Sequence, residues 1–371
     1  MTRPTRAHID LTALRHNLAY ARGLAGSARL VAVVKANGYG HGAVTVAHAL
    51  EGAVEALGVA CIEEASELRE SGIGTPILLL EGVVDPDELA LAERLALAVV
   101  VHNREQLGWV QAARPARPLA CWLKLDTGMH RLGFTPAALA GAHAALTACP
   151  QVDQVVLMTH LARADELDQP YTNRQLALFA QVCGDLAAPR SLASSAGLLA
   201  WPAAIGDWVR PGIMLYGASP LGEGHQSAAR LRPVMTLESA LIAVRDLAAG
   251  EPLGYGGRFV CERPTRVGVV AAGYADGYPR HARDGTPVAV NGQLTRLIGR
   301  VSMDMLTVDL TELPQAQIGD PVELWGRRVS ANAVAAASDT IAYQLFTGVT
   351  ARVPLIHHAG EMALESANRG D

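Results

Sequence analysis

The sequence predicts a (β/α)8 barrel followed by a mainly β domain. Three observations carry this. From about residue 29 to 230, short apolar runs alternate with helical stretches, as parallel strands buried on both faces alternate with their crossover helices. Several of the runs end on a residue that bears chemistry, as barrel strands do. After about residue 230 the alternation stops and turn signals take over.

The runs are Leu30–Val34, Leu57–Cys61, Ile77–Leu80, Leu97–Val101, Leu119–Leu125, Gln154–Met158, a short one near Ser191–Ala193 and one near Trp208–Tyr216. Asn37, Gly38, Gly40 and Gly42 break the pattern after the first, and a helix follows from Ala43 to Ala49. Gly72 and Gly74 end the helix holding Ile62, Ala65 and Leu68. Asp85-Pro86 and Thr135-Pro136 each place a capping oxygen before a proline at the first helical position. Asn103 caps the helix holding Leu107 and Val110. In the second part, Asn291-Gly292 marks a tight hairpin. Val301–Leu310 and Pro321–Trp325 read as strands, with Gly319-Asp320-Pro321 as the turn between them, and a helix runs from about Ala331 to Phe346. The expected domains are 1–230 and 231–371.

The chain has 371 residues, half of them hydrophobic, enough for two cores. Its net charge is −5 and no basic cluster is present, which argues against nucleic acid as a partner. No apolar stretch has transmembrane length, and Met1-Thr2-Arg3-Pro4 does not begin a signal peptide. Cys61, Cys121, Cys149, Cys183 and Cys261 are odd in number, widely spaced and without metal-ligand spacing. They read as buried reduced thiols of a cytoplasmic protein.

The segment Val31 to Gly42 is the most informative. An apolar strand ends on Lys35, and a loop of glycines with one aromatic follows. A lysine at a strand end is ordinarily a solvated cation. Partly desolvated, it becomes a nucleophile or base, and the glycines let the backbone approach a phosphate. Lys124, His160, Ser195 and Arg210 also fall at or just past predicted strand ends, so the barrel would gather all five on one face.

Val31-Ala32-Val33-Val34-Lys35-Ala36-Asn37-Gly38-Tyr39-Gly40-His41-Gly42 resembles the cofactor-lysine motif of the alanine racemases. Further stretches resemble that family in its own order: Lys124 to Phe134, Met158-Thr159-His160, Arg210 to Gly217, Gly254 to Gly257, Gly273 to Tyr278 and Gly299 to Asp304. Together they cover nearly the whole chain.

The resemblance implies pyridoxal 5′-phosphate held by Lys35. It implies Arg210 at the pyridine nitrogen, where a group that stays protonated leaves the ring a weaker electron sink. It implies phosphate donors in Tyr39, Ser195, Tyr343 and the backbone of Gly212 and Ile213. Tyr255 becomes the second base, reaching the lysine of another subunit and supported by cations through His160 and Arg210. A phenol needs that support to act as a base. Arg131 binds either a substrate carboxylate or the Tyr255 phenol. Lys124 is the position that carries a carbamate in many members, and the carbamate would hold Arg131; the plain alternative is an ion pair of Arg131 with Asp126. The backbone of Met303 contacts the substrate carboxylate, unless Met303-Asp304 is an interior strand pair. Tyr274 and Tyr343 narrow the entrance. The implied protein is a cytoplasmic homodimer with shared active sites that interconverts L- and D-alanine and supplies D-alanine for bacterial peptidoglycan.

Two departures stand out. Ser194-Ser195 replaces the usual Asn-Ser, and Arg352-Val353-Pro354 lacks the arginine that commonly follows. Two other functions compete. A basic amino-acid decarboxylase of the same fold group would place a carboxylate, not Arg210, at the pyridine nitrogen and use a glycine-triplet loop. A non-catalytic pyridoxal-phosphate binder would need only the barrel, and residues 230–371 with Tyr255 argue against it.

Overall fold

The structure is a computed structural model and describes residues 3–221 and 224–360. Met1, Thr2 and residues 361–371 of the expected second domain lie outside the described residues. The chain divides into two compact units, residues 17–215 with 219–230, and residues up to His16 with 216–218 and 231 onward.

The first unit is a closed barrel of eight parallel strands: Arg29–Val33, Ala56–Val59, Ile77–Leu79, Leu97–Val101, Leu119–Lys124, Val152–Met158, Arg190–Ser194 and Trp208–Arg210. The first and last strands close it, with Leu30 opposite Val209, and Val33 donates to the Pro211 carbonyl at 3.0 Å. Val31, Ala56, Leu78, Val100, Trp122, Val156, Met158 and Trp208 come from seven of the eight strands and pack into one interior cluster. Their neighbours Ala32, Leu57, Leu79, Val99, Leu123 and Leu157 are buried too, which is why the strands read as continuous apolar runs. At the lower end the Arg29 guanidinium stacks over Trp208, 4.1 Å from the ring centre.

Helix starts follow the expected chemistry in part. Asn103 caps Arg104–Ala112, accepting from the Gln106 N–H at 2.8 Å. Pro136 opens Pro136–Thr147, although the Thr135 side chain makes no capping bond. Pro86 does not open a helix. Asp85 instead accepts from the Asp87 N–H at 2.8 Å in a turn, and the helix starts at Glu88.

The second unit holds an eight-stranded sheet. Along its main path lie Gln293–Arg296, Pro287–Val290, Pro321–Trp325, Met235–Leu247, Arg6–Asp10 and Leu355–His358. Thr265–Val270 pairs with the far end of Met235–Leu247, and Leu306–Asp309 pairs with Thr265–Val270. Asn291 and Gly292, at φ 49° and 75°, make the expected hairpin turn.

Four expectations need correction. The N-terminal residues belong with the β unit, not with a domain 1–230, because Arg6–Asp10 pairs antiparallel with Met235–Leu247 and parallel with Leu355–His358. Val301–Leu310 is a strand only over Leu306–Asp309, and Met303 is exposed rather than interior. The late helix is two, Ala331–Ala337 and Ala342–Thr347, parted where Asp339 adopts φ 50°. All five cysteines are free, but Cys61 is exposed, not buried.

Trp122 is buried in the barrel interior, 5.4 Å ring to ring from Trp208. Trp122→Ala should cost about 3–5 kcal/mol of stability. Urea unfolding should show this as a lower midpoint at unchanged slope.

Candidate active site

Each strand of a parallel barrel aims its last residues at one rim. Lys124 and Arg210 are the final residues of their strands, Ser195 follows its strand directly, and Lys35 and His160 lie two positions beyond theirs. Electrostatics shows that four of them, with Arg131, share a site. Lys124 is buried, and its ammonium is pushed down to about 8, first by burial and then by repulsion from Arg210, Arg131 and Lys35, with Glu81 acting the other way. His160 is pushed down to about 3 by burial, then by Arg210, Lys124, Arg131 and Lys35, so its imidazole is neutral near pH 7. Arg131 is not paired with Asp126. The Asp126 carboxylate instead accepts from the Gly128 and His130 N–H groups and meets the His130 ring at 3.1 Å.

Arg210 is the most constrained of the group. Burial lowers it to about 10, which still leaves it charged near pH 7. It donates from Nη1 to Ser191 Oγ at 2.6 Å and from Nη2 to the Thr159 carbonyl at 2.8 Å and the Leu192 carbonyl at 3.4 Å. It makes no ion pair with a carboxylate among the described residues.

Lys35 is set by an unusual backbone. Ala36, Asn37, Gly38 and Tyr39 all adopt left-handed helical angles, φ 52° to 60°. Glu64 pins the first of them, accepting from the Ala36 N–H at 2.7 Å and from the Ala60 N–H at 2.8 Å. Asn37 Oδ1 accepts from the Ala43 N–H at 2.9 Å, and Gly38 donates to the Val34 carbonyl at 2.7 Å. The turn brings Tyr39 against Gly212, where a β-carbon would lie 2.4 Å from the phenol oxygen. Ser195 Oγ accepts from the Gly212 N–H at 2.9 Å and the Met214 N–H at 3.3 Å, and Ile213 is buried between them.

Tyr255, Tyr274, Met303 and Tyr343 lie in the β unit. Tyr255 is 67% exposed, on a loop framed by the hairpin Pro252–Leu253 and Phe259–Val260, with Gly254, Gly256 and Gly257 all at positive φ. Tyr274, Met303 and Met305 are exposed as well, and Tyr343 is half-buried in Ala342–Thr347. Glu64, Ser191 and His102 were missed by sequence reasoning. His102 follows the strand Leu97–Val101 directly, so the strand-end rule would have found it. Its ring meets the Glu81 carbonyl at 3.1 Å, and burial lowers its pKa. Among the described residues no group of three or more His, Cys, Asp or Glu side chains could hold a metal ion. No described helix is long and apolar enough to cross a membrane.

The family model described as "Alanine racemase, N-terminal domain" matches residues 9–220, and the one described as "Alanine racemase, C-terminal domain" matches residues 234–357. The chain belongs to the alanine racemase family. It is thereby placed among amino-acid isomerases. A relative from Pseudomonas fluorescens, named alanine racemase, is 56% identical over 358 residues, 96% of this chain and 100% of the relative. The crystal structure of a biosynthetic alanine racemase from Pseudomonas aeruginosa superposes with a TM-score of 0.93 at 50% identity, covering 96% of this chain and all of that one. An alanine racemase from Bartonella henselae, solved with covalently bound pyridoxal phosphate, gives a TM-score of 0.87 at 29% identity, over 96% and 99% of the two chains.

The charge of Lys124 yields a test. Its folded pKa is depressed, so the unfolded chain binds more protons between about pH 8 and 10.5, and stability rises with pH through that window. Against Lys124→Met in buffer free of carbon dioxide, the wild type should gain about 3 kcal/mol from pH 7 to pH 10.5. Urea unfolding of both proteins at each pH measures it. A constant difference would mean that the ammonium is not desolvated.

Proposed function

We propose that the protein interconverts L- and D-alanine with pyridoxal 5′-phosphate, using Lys35 and Tyr255 as bases on opposite faces of the substrate. Arg210 is the observation that carries this reading. It is a buried cation without a carboxylate, and its Nε makes no hydrogen bond among the described residues. A guanidinium donates to a pyridine nitrogen without surrendering its proton. That argues against the decarboxylase alternative, which would use a carboxylate there.

The other residues fit the same cofactor. Lys35 would hold it covalently. The Tyr39 and Ser195 hydroxyls and the N–H groups of Gly212 and Ile213 suit a phosphate, and Gly212 keeps the approach open beside Tyr39. When bound, pyridoxal phosphate stabilises the charge left on the α-carbon after its proton departs. The chain does the proton work. Lys35 Nζ takes or returns the proton on one face, and the Tyr255 hydroxyl does so on the other. Arg131 and the backbone of Met303 hold the substrate carboxylate. By the family resemblance, His160, neutral near pH 7, and Arg210 would stand beside that phenol.

Tyr255 is exposed in its own chain together with Tyr274, Met303 and Met305. Large aromatic and apolar groups left in water suit a partner surface, and we read them as completing the site of a second copy in a homodimer. Lys124, with its pKa near 8, keeps part of its amine neutral and able to add carbon dioxide, and the carbamate would hold Arg131. In the cell the reaction would supply D-alanine for peptidoglycan from the cytoplasm.

Gly212→Ala should push the Tyr39 phenol aside. The overpacking, about 1–3 kcal/mol, corresponds to roughly ten- to hundredfold weaker cofactor binding. Titration of the apoprotein with pyridoxal phosphate, followed by absorbance, reads it.

Mixing inactive Lys35→Ala and Tyr255→Phe proteins should restore one intact site per mixed dimer. No recovery despite demonstrated subunit exchange would end the shared-site reading. Tyr255→Phe alone should lose α-proton exchange from one enantiomer by ~10²–10⁴-fold. By resemblance that enantiomer is L-alanine, and exchange from D-alanine should persist without inversion, both followed by NMR in deuterated water. Equal exchange from both would make Tyr274 the next candidate.

A further inference from the structure

The two loops of the β unit that carry Tyr274 and Met303 are joined through their backbones. Tyr274 donates its N–H to the Ser302 carbonyl at 3.0 Å, and Ala275 donates to the Met303 carbonyl at 2.9 Å. Gly273 permits the approach, since a β-carbon there would sit 2.4 Å from both carbonyl oxygens. Asp276, fully buried, anchors the first loop. Its carboxylate accepts from the Gly273 N–H at 2.9 Å and from both terminal nitrogens of Arg3, and it forms an ion pair with Arg352 Nε at 3.2 Å.

Arg3 does more than neutralise that acid. Its Nη2 also donates to the Ala271 carbonyl at 3.1 Å and to the Asp304 carbonyl at 3.2 Å. One guanidinium therefore ties together the strand entering the first loop, the acid within it and the backbone of the second. Arg352 adds a second link, from Nη2 to Asp304 Oδ1 at 2.8 Å. Thr350 braces the far side, with its hydroxyl on the Ala275 carbonyl at 2.8 Å.

We infer that Arg3 is a positioning residue that sets the spacing of Tyr274 and Met303 and, through them, the fit of a small amino acid. The inference rests on the reading that these two residues face substrate. The chemistry requires arginine. A planar fork of donors reaches a carboxylate and two carbonyls together, whereas a lysine ammonium is a point charge on a flexible stem. Arg352 and the Gly273 N–H remain beside Asp276 when Arg3 is removed, so the loop keeps part of its anchor while its register to the second loop is lost.

The test compares the holoenzyme with its Arg3→Ala and Arg3→Lys variants. Hydrogen exchange at the amides of Tyr274 and Ala275 should quicken in both variants. KM for alanine should rise about tenfold with kcat within about twofold, and discrimination against serine should weaken. Lysine should recover thermal stability without recovering KM. Unchanged exchange and KM in Arg3→Ala, or full rescue of KM by lysine, would overturn the inference. If the alanine variant does not fold, the lysine variant decides alone by the same readouts. A wild-type protein inactive on alanine would remove the functional reading, and the exchange measurement would still decide whether Arg3 holds the loops.

Discussion

A buried guanidinium without a counter-ion governs the barrel rim. Moving a charge out of water costs several kcal/mol even after relaxation, and Arg210 meets that cost with one hydroxyl and two carbonyls. Those acceptors leave the positive field intact. The field, added to burial, holds His160 neutral and lowers Lys124, and it makes the rim a place where anionic groups are stabilised. A phosphate, a substrate carboxylate and a carbamate are each anions that such a rim would stabilise. One cation placed at the end of a three-residue strand thus reinforces what burial does to the protonation of its neighbours.

The left-handed turn after the first strand is the second constraint. Left-handed helical angles cost about 1–2 kcal/mol for each residue bearing a β-carbon, and Ala36, Asn37 and Tyr39 bear one. Hydrogen bonds return about 1 kcal/mol each, and more where the acceptor is charged. The Glu64 carboxylate, the Asn37 side chain and the Val34 carbonyl therefore roughly offset the strain. The gain is geometric. The turn seats the Tyr39 phenol against Gly212, immediately after the lysine.

The barrel was legible because most of its strands are buried on both faces and several end in chemistry. By that rule Lys35, Lys124, His160, Ser195 and Arg210 fall together at strand ends, and the family resemblance supplied their roles. Arg6–Asp10 was illegible because its partners lie more than 220 residues away, and nothing local marks a strand. Asparagine and glycine announced a break after Lys35. They did not announce its handedness, because Ala36 and Tyr39 are residues that avoid left-handed angles. Glu64 and Ser191 act only through backbone and side-chain partners that the fold supplies. Tyr255 and Met303 carry no pattern of their own, and only the family resemblance singled them out.

Under the proposed mechanism the rim itself limits which group serves as second base. Arginines hold their protons, and His160, at about 3, binds a proton too weakly to carry one between faces near neutral pH. Lys124, at about 8, is the rim's rival to Tyr255, since its proton moves in the working range. Carbon dioxide would settle that rivalry chemically. A carbamate converts a mobile base into a fixed anion beside Arg131, so the same modification that organises the cations removes the competing proton carrier. Proton delivery to the second face then falls to a group from outside the barrel, and an exposed phenol on a glycine-framed loop is suited to reach it.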